Sequence, residues 1–362
     1  MKICMIGNAR AVHLQRWAKA FRDAGHDVDI ISIRAASIPG IPVHTIAVGP
    51  ANDPSRSWSF LSYARLAAEA RRAVRRCDPD VVHAHFTSTS GVFARASGRH
   101  PVVTTAWGSD IVPADGIHQS RTLRFINRWA LAGADRITVT SRYMTTWATD
   151  LLPGAVVDIV PFGVDTDAFH PRTEPAESSG PSIGLVKSLE PRYGIEHAIR
   201  AMPIILNAEP GAQLTIAGEG SLRSDLETLV EDLGLGGAVE FVGRVEHDSV
   251  PHLMRSFDVL LNTTVVPESF GVVILEGSAT GIPVVTSDVG GVREVCVDNR
   301  TALLIPPGDV TALATAVVTL AQDQGMRERF GAAGRAFVQE HFEWDHSVTA
   351  MLTVLEDAVR RS

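Results

Sequence analysis

Lysine is nearly missing from this chain. Of its 33 cationic residues only Lys2, Lys19 and Lys187 are lysines, so the place of each carries information. Cysteine is as scarce: Cys4, Cys77 and Cys296 form an odd, scattered set that suggests neither a disulfide framework nor a zinc site and fits a reducing compartment. An excess of basic charge is also lacking. A formal net charge of −8 argues against a general nucleic-acid binder, which needs a basic balance to meet phosphates. No apolar run reaches the roughly 20 residues of a membrane-spanning helix. "MKICMIG" enters a strand-like run at once, without the pattern of a secretory leader. A cytoplasmic protein is expected. No G-x-G-x-x-G follows any strand-like run, which disfavours a dinucleotide oxidoreductase.

What is present is an α/β rhythm, stated twice. At 362 residues, 45% of them hydrophobic, the chain exceeds the size at which single cores stop growing, and two domains are expected. "KICMIG", "DVDIISI", "DVVHAHF", "PVVTTAW" and "DRITVTS" are short apolar runs separated by helical segments, the first over about Val12 to Ala24. "FGVDTDAFHPRTEPAESSGP" reads as a linker near Phe162 to Pro181. The rhythm then restarts with "SIGLVKS", "QLTIAGEG", "VEFVGRV", "DVLLNTT" and "IPVVTSD". Near-continuous apolar strands alternating with helices indicate parallel sheets covered on both faces. The expected fold is two doubly wound, Rossmann-like domains facing across a cleft, residues 1–165 and 166–340. A helix over 341–362 would pack back on the first. Ligands in such sheets bind beyond the carboxyl ends of the strands.

"PESFGVVILEG" sets Glu268 and Glu276 around an apolar segment. "VVILEGSATG" reads as a helix ended by Gly281 and Pro283, which puts Glu268 in the loop before it and Glu276 inside it. The free N–H groups at the tip, around Phe270, Gly271 and Val272, suit a phosphate or diphosphate. Carboxylates on either flank suit vicinal hydroxyls. A nucleotide-sugar has that layout. The segment alone equally admits a capping glutamate and a surface glutamate. Gly290 and Gly291 in "SDVGGVREV" add a place where backbone can approach a ligand closely.

The stretch "PESFGVVILEGSATGIPVVTSDVGGVREV", with "IAGEGSLRSDLETLVEDLGL", "VEFVGRV" and "PFGVDTDAF", resembles the donor-binding signature of family-four retaining glycosyltransferases of the GT-B fold. "VHLQRWAKAFRDAGHDV", "DVVHAHF" and "TTAWGSDI" resemble the acceptor half of a subset carrying a "WGSD" motif. The resemblance implies transfer of a sugar from a nucleoside-diphosphate-sugar to a glycan or lipid-linked glycan, without cofactor or metal. It gives Glu276 the ribose hydroxyls, Glu268 the donor sugar, and the backbone at Phe270 to Val272 the diphosphate. Gly218 and Arg244 lie in the same donor motifs. Lys187 stands where the family has an arginine. Tyr193 holds the usual lysine position, with Arg192 just before it. These cations and the helix tip would take up the charge on the departing diphosphate.

In the first half, most relatives carry a histidine where this chain has Trp107, which offers one N–H and no acceptor. Asp110 is the nearest acceptor for a hydroxyl proton. His83 and His85 end a strand, and His85 is favoured because it lies nearer that end. Gly7 and Asn8 form the first strand-to-helix turn on the donor side, while His13 and Arg16 follow on the helix and suit the acceptor or the donor phosphate. The "DVD", "DPD" and "DTD" strings read as chance matches to a metal-binding triplet. Arg65, Arg71, Arg72, Arg75 and Arg76, with Arg121, Arg124 and Arg128, form basic faces that are either solvated or docked on an anionic membrane surface where a lipid-linked acceptor waits. Two other readings stay open: a nucleotide-sugar epimerase or hydrolase on the same fold, and a non-catalytic nucleotide-sugar binder.

Overall fold

The computed structural model describes residues 1–46, 60–113, 120–173 and 180–362. They form two compact units. One takes the described residues up to Pro161 together with Ser347–Ser362, the other Phe162–His346. Part of the expected linker, residues 174–179, lies outside the described residues. The part before it is packed: Phe162, Val164 and Phe169 are buried in the second unit.

The first unit runs β1 (Lys2–Ile6), α1 (Val12–Asp23), β2 (Asp27–Ser32), β3 (Val43–Thr45), α2 (Phe60–Cys77), β4 (Val81–His85), α3 (Val92–Ser97), β5 (Val102–Thr105), α4 (Arg121–Leu131), β6 (Arg136–Val139), α5 (Arg142–Leu151) and β7 (Val157–Ile159). Its strands are parallel in the order β3-β2-β1-β4-β5-β6-β7. β1 is central because Ile3, Cys4, Met5 and Ile6 are all buried, so both faces of the strand need cover. Helix α1 supplies some of it through Leu14, Trp17, Ala18 and Phe21, spaced along one face. Each such large side chain contributes about 1.5–3 kcal/mol on burial.

The second unit runs β8 (Ser182–Val186), α6 (Ile195–Ala208), β9 (Gln213–Ala217), α7 (Arg223–Asp232), β10 (Val239–Gly243), α8 (Val250–Met254), β11 (Val259–Asn262), α9 (Val272–Ala279), β12 (Val284–Ser287), β13 (Ala302–Ile305), α10 (Val310–Gln322) and α11 (Gln324–His341). The order β10-β9-β8-β11-β12-β13 repeats the first pattern, again all parallel. Helix α12 (Trp344–Arg361) closes the chain and belongs to the first unit from Ser347 on. Strand order reverses direction between β1 and β4 in one unit and between β8 and β11 in the other. At those two switch points the crossovers diverge to opposite faces and leave a crevice at the strand ends.

Candidate active site

The second switch point gathers the polar residues of the sequence reading. Lys187 directly follows β8, and its Nζ lies 2.6 Å from Glu268 Oε1, both side chains 13% exposed. Glu268 Oε2 accepts from the Asn262 amide at 3.0 Å. Asn262 is the last residue of β11 and also donates to Thr286 Oγ1 at 3.0 Å. Burial pushes the Glu268 carboxyl up. The Lys187 charge and hydrogen bonds from Lys187, Asn262 and Thr264 outweigh it, and the pKa is held below the usual value. Glu268 is therefore ionised.

Two loops fix this pair. Arg192 and Tyr193 lie in a short turn after β8, and the Tyr193 ring is flanked by Lys187 Nζ at 4.9 Å and the Arg192 guanidinium at 5.1 Å from its centroid. The same turn is tied to the β11 loop: Val265 N–H donates to Arg192 O at 3.0 Å and Thr263 Oγ1 to Tyr193 O at 2.8 Å. Gly218, with φ 151°, passes so close under Lys187 that a Cβ would run into the Lys187 carbonyl oxygen. Gly290 and Gly291, read from the sequence as a place of close backbone approach, make such an approach within the protein. They press on the backbone of Glu268 and Ser269, where Gly291 N–H donates to Glu268 O at 2.8 Å. The pair holds the Glu268 loop in place.

The tip of α9 begins on a glycine. Gly271, at the cap position, adopts φ 99°, a conformation that favours glycine, and supplies no side-chain cap of its own. The Phe270 ring is buried between Phe162 and Phe342, with centroids 6.0 and 5.7 Å away. Val272 opens the helix and Glu276 stands half-buried one turn on. Arg244, beyond β10, is 75% exposed and ion-paired to Glu246 at 3.7 Å, and no contact ties it to the Lys187–Glu268 pair.

At the first switch point the side chains are largely apolar and aromatic. Gly7 packs against Leu14 and His85, and Asn8 is exposed and closes a turn on Arg10 N–H at 3.1 Å. His85 and Trp107 stack with centroids 5.2 Å apart, His83 lies 4.4 Å from His85, and Trp17 lies 6.4 Å from Trp107. Burial lowers the pKa of His83 to about 3. Burial, with smaller charge effects from His83 and His13, pushes that of His85 well down. Both are neutral. His83 Nε2 meets Thr105 Oγ1 at 2.7 Å, while His85 Nε2 has no partner among the described residues. His13 is exposed and Arg16 half-buried, both on α1.

Asp110 is placed differently from a hydroxyl-facing base. Its Oδ2 accepts from Thr87 N–H at 2.9 Å, and its Oδ1 from Trp107 and Gly108 N–H at 3.1 and 3.0 Å. Burial raises its pKa against those bonds. The carboxylate thus shapes the Trp107 turn.

Comparison with known proteins fits this geometry. The family model described as glycosyl transferases group 1 matches residues 168–337, and that described as glycosyl transferase 4-like matches residues 2–141. The GDP-mannose-dependent alpha-(1-6)-phosphatidylinositol monomannoside mannosyltransferase of Mycobacterium tuberculosis is 30% identical over 286 residues, 74% of this chain and 73% of that protein. The chain belongs to the group 1 glycosyltransferases. The scaffold is GT-B. Sucrose-phosphate synthase from Thermosynechococcus elongatus superposes with a TM-score of 0.88 at 22% identity over 100% of both chains. Anabaena HepE, solved in complex with UDP-glucose, gives 0.81 at 21% identity over 99% of this chain and 100% of that one.

In this glycosyltransferase, several residues with a structural claim on the site escaped the sequence reading. Asn262 and Thr264 reach Glu268. The available signal was "LLNTT", polar residues where an apolar strand ends. Thr87 and Asn127 join Asp110: Thr87 Oγ1 meets Asn127 Oδ1 at 3.1 Å, and Asn127 donates to Asp110 O at 2.6 Å. Phe86, directly after β4, holds φ 77° without being glycine and is 38% exposed. Such backbone strain costs about 1–3 kcal/mol and gathers at functional sites. Nothing in the sequence signals it.

Proposed function

We propose that this glycosyltransferase is a retaining, metal-independent enzyme of the family-four type. It moves a sugar from a nucleoside-diphosphate-sugar to a glycan or lipid-linked glycan in cell-surface polysaccharide synthesis. The observation that carries the reading is the ionised Glu268, held by Lys187 and Asn262 at the β8/β11 switch point and followed at once by the glycine-started tip of α9. The tip and Lys187 take the diphosphate, Glu268 the donor sugar and Glu276 the ribose hydroxyls. Arg192 adds positive charge beside the leaving group. Preorganised donors of this kind stabilise charge developing on the leaving phosphate without reorganising. Attack on the sugar occurs from the face the diphosphate leaves, and that phosphate accepts the proton of the acceptor hydroxyl. Asp110 acts as a positioning residue, and the neutral His85 with Trp107 forms an apolar wall on the acceptor side.

Support for the donor class comes from HepE, solved with UDP-glucose, and from the mannosyltransferase relative, which uses GDP-mannose. The same relative acts on a phosphatidylinositol monomannoside, an acceptor held in lipid. Helix α4 favours a lipid-linked acceptor here too. It exposes Phe125 at 68% and Trp129 at 38% beside the exposed Arg121, Arg124 and Arg128. Aromatic rings with arginines on one exposed helix suit an anionic membrane interface.

The test is a panel of nucleoside-diphosphate-sugars with and without glycan acceptors, followed by release of nucleoside diphosphate and by the anomeric configuration of the product. Acceptor-dependent release with retained configuration, undiminished in excess chelator, is the expected result. Rapid release or epimerisation without acceptor would assign an epimerase or hydrolase instead. Binding without turnover on every acceptor would assign a sensor.

A further inference from the structure

Two of the three scattered cysteines, Cys4 and Cys77, come together in the fold. Cys4, Asp29, Ile31 and His44 lie on the α2 face of the first sheet: Cys4 pairs in register with Asp29, Ile31 with His44, and Cys4 and Ile31 share a core with α2. The last residue of α2, Cys77, comes down on the same spot. One ligand atom each of Asp29, His44 and Cys77 lies within 4.8 Å of the others. His44 Nε2 is 2.7 Å from Asp29 Oδ1, and Lys2 Nζ lies 3.6 Å from Asp29 Oδ2. The Cys4 and Cys77 thiols are hydrogen-bonded to each other.

We propose that Asp29, His44 and Cys77 bind one zinc ion. The donor set is a thiolate, an imidazole and a carboxylate, the three ligand types zinc accepts in tetrahedral sites. The hard carboxylate and soft thiolate together disfavour magnesium or calcium, which take oxygen ligands alone. His44 is 38% exposed, which leaves an entry path and a fourth position on the solvent side. The ion sits between His44 Nε2 and Asp29, with the imidazole proton carried on Nδ1 of the same ring, and it displaces the Cys77 thiol proton, which passes to solvent. Cys4 donates its S–H to that thiolate. Lys2 is 38% exposed and free to swing away.

The cluster joins the middle of β1, β2 and β3 to the carboxyl end of α2. The Gly7–His85 crevice lies at the carboxyl ends of the strands. Zinc bound here lies away from that crevice, and it ties the end of α2 to the sheet.

The test uses the full chain, held reduced and stripped with chelator, and titrated with Zn2+ against a chromogenic competitor and with Co2+ for the thiolate charge-transfer band. Wild type takes about one equivalent, shows the band and melts higher with Zn2+, since a ligand of the native state raises its stability. C77S loses the band, and both C77S and H44Q lose stoichiometric binding and the thermal shift while keeping the metal-free melt. C4A retains the ion with affinity lowered by about 10–100-fold, the usual effect of removing an outer-shell partner. Absence of stoichiometric binding in wild type, or unchanged binding in C77S or H44Q, would overturn the proposal.

Discussion

Lys187 and Glu268 matter to each other before any ligand arrives. Each is 13% exposed, and removing one partner of a buried pair leaves an uncompensated charge, at about 3–5 kcal/mol. E268Q should therefore lower the melting temperature of the second unit as well as transfer. The loss has a pH signature. A carboxyl held below its usual pKa stabilises the fold above the unfolded value of about 4.3 and ceases to do so as pH falls through the folded value. The melting-temperature gap between wild type and E268Q should be constant near neutrality and close on acidification below about pH 4. A gap that widened in acid would contradict the ionised pair. How much of this was legible is instructive. Glu268 and Lys187 stood out because a charged residue at the end of an apolar run has a restricted environment. Their direct contact did not, since 81 positions separate them and only the pairing of β8 with β11 brings them together. The surroundings of Asp110 were not legible either. A carboxylate near a turn looks like a free acceptor, and here three backbone N–H groups donate to it.

Among the elements, α9 and α4 carry the functional load. Helix α9 starts on Gly271 at φ 99°, and an alanine there would pay about 1–2 kcal/mol for the left-handed backbone. G271A should shift the tip, weaken nucleoside diphosphate binding about ten-fold or more, and leave nucleoside binding nearly unchanged, because only the phosphates meet the tip. Isothermal titration with the diphosphate and the bare nucleoside separates the two. Helix α4 exposes Phe125 and Trp129 among arginines. Co-sedimentation should be strong with anionic vesicles, weak with neutral ones, and reduced by F125A/W129A. Equal failure with both lipids would leave α4 a solvated face. The amphipathic faces of α1 and α2 were readable from sequence because burial imposes them, and α9 from its apolar run and the Gly281 and Pro283 that end it. Two features were not. The exposure of α4's aromatics depends on what the fold leaves uncovered. The positive φ of Phe86 is a backbone conformation that its side chain does not advertise.

Across the whole molecule the same strand order is used twice, yet the two switch points differ in chemistry. The first is lined by neutral histidines and tryptophan, the second by a lysine–glutamate pair. They should titrate apart. His83 and His85 are buried neutral, so the unfolded chain takes up their protons first, and the first unit loses stability as pH falls below about 6.5. The Glu268 contribution in the second persists until about pH 4. Calorimetric scans at falling pH should show the first unit's transition moving down earlier, and H85F should narrow the separation. The alternation of strand and helix made the doubled architecture legible, because each parallel strand needs apolar cover on both faces. The convergence of Cys4 with Cys77 was not, since it follows from register between β1, β2 and β3 and from where α2 ends. The most direct measurement of the central claim is the affinity of wild type, K187A and E276A for a panel of nucleoside-diphosphate-sugars and their free diphosphates. At least one activated sugar should bind wild type, with K187A losing affinity for it and its diphosphate alike and E276A losing affinity for every ligand that carries the ribose. Unchanged affinity in both variants would contradict the account.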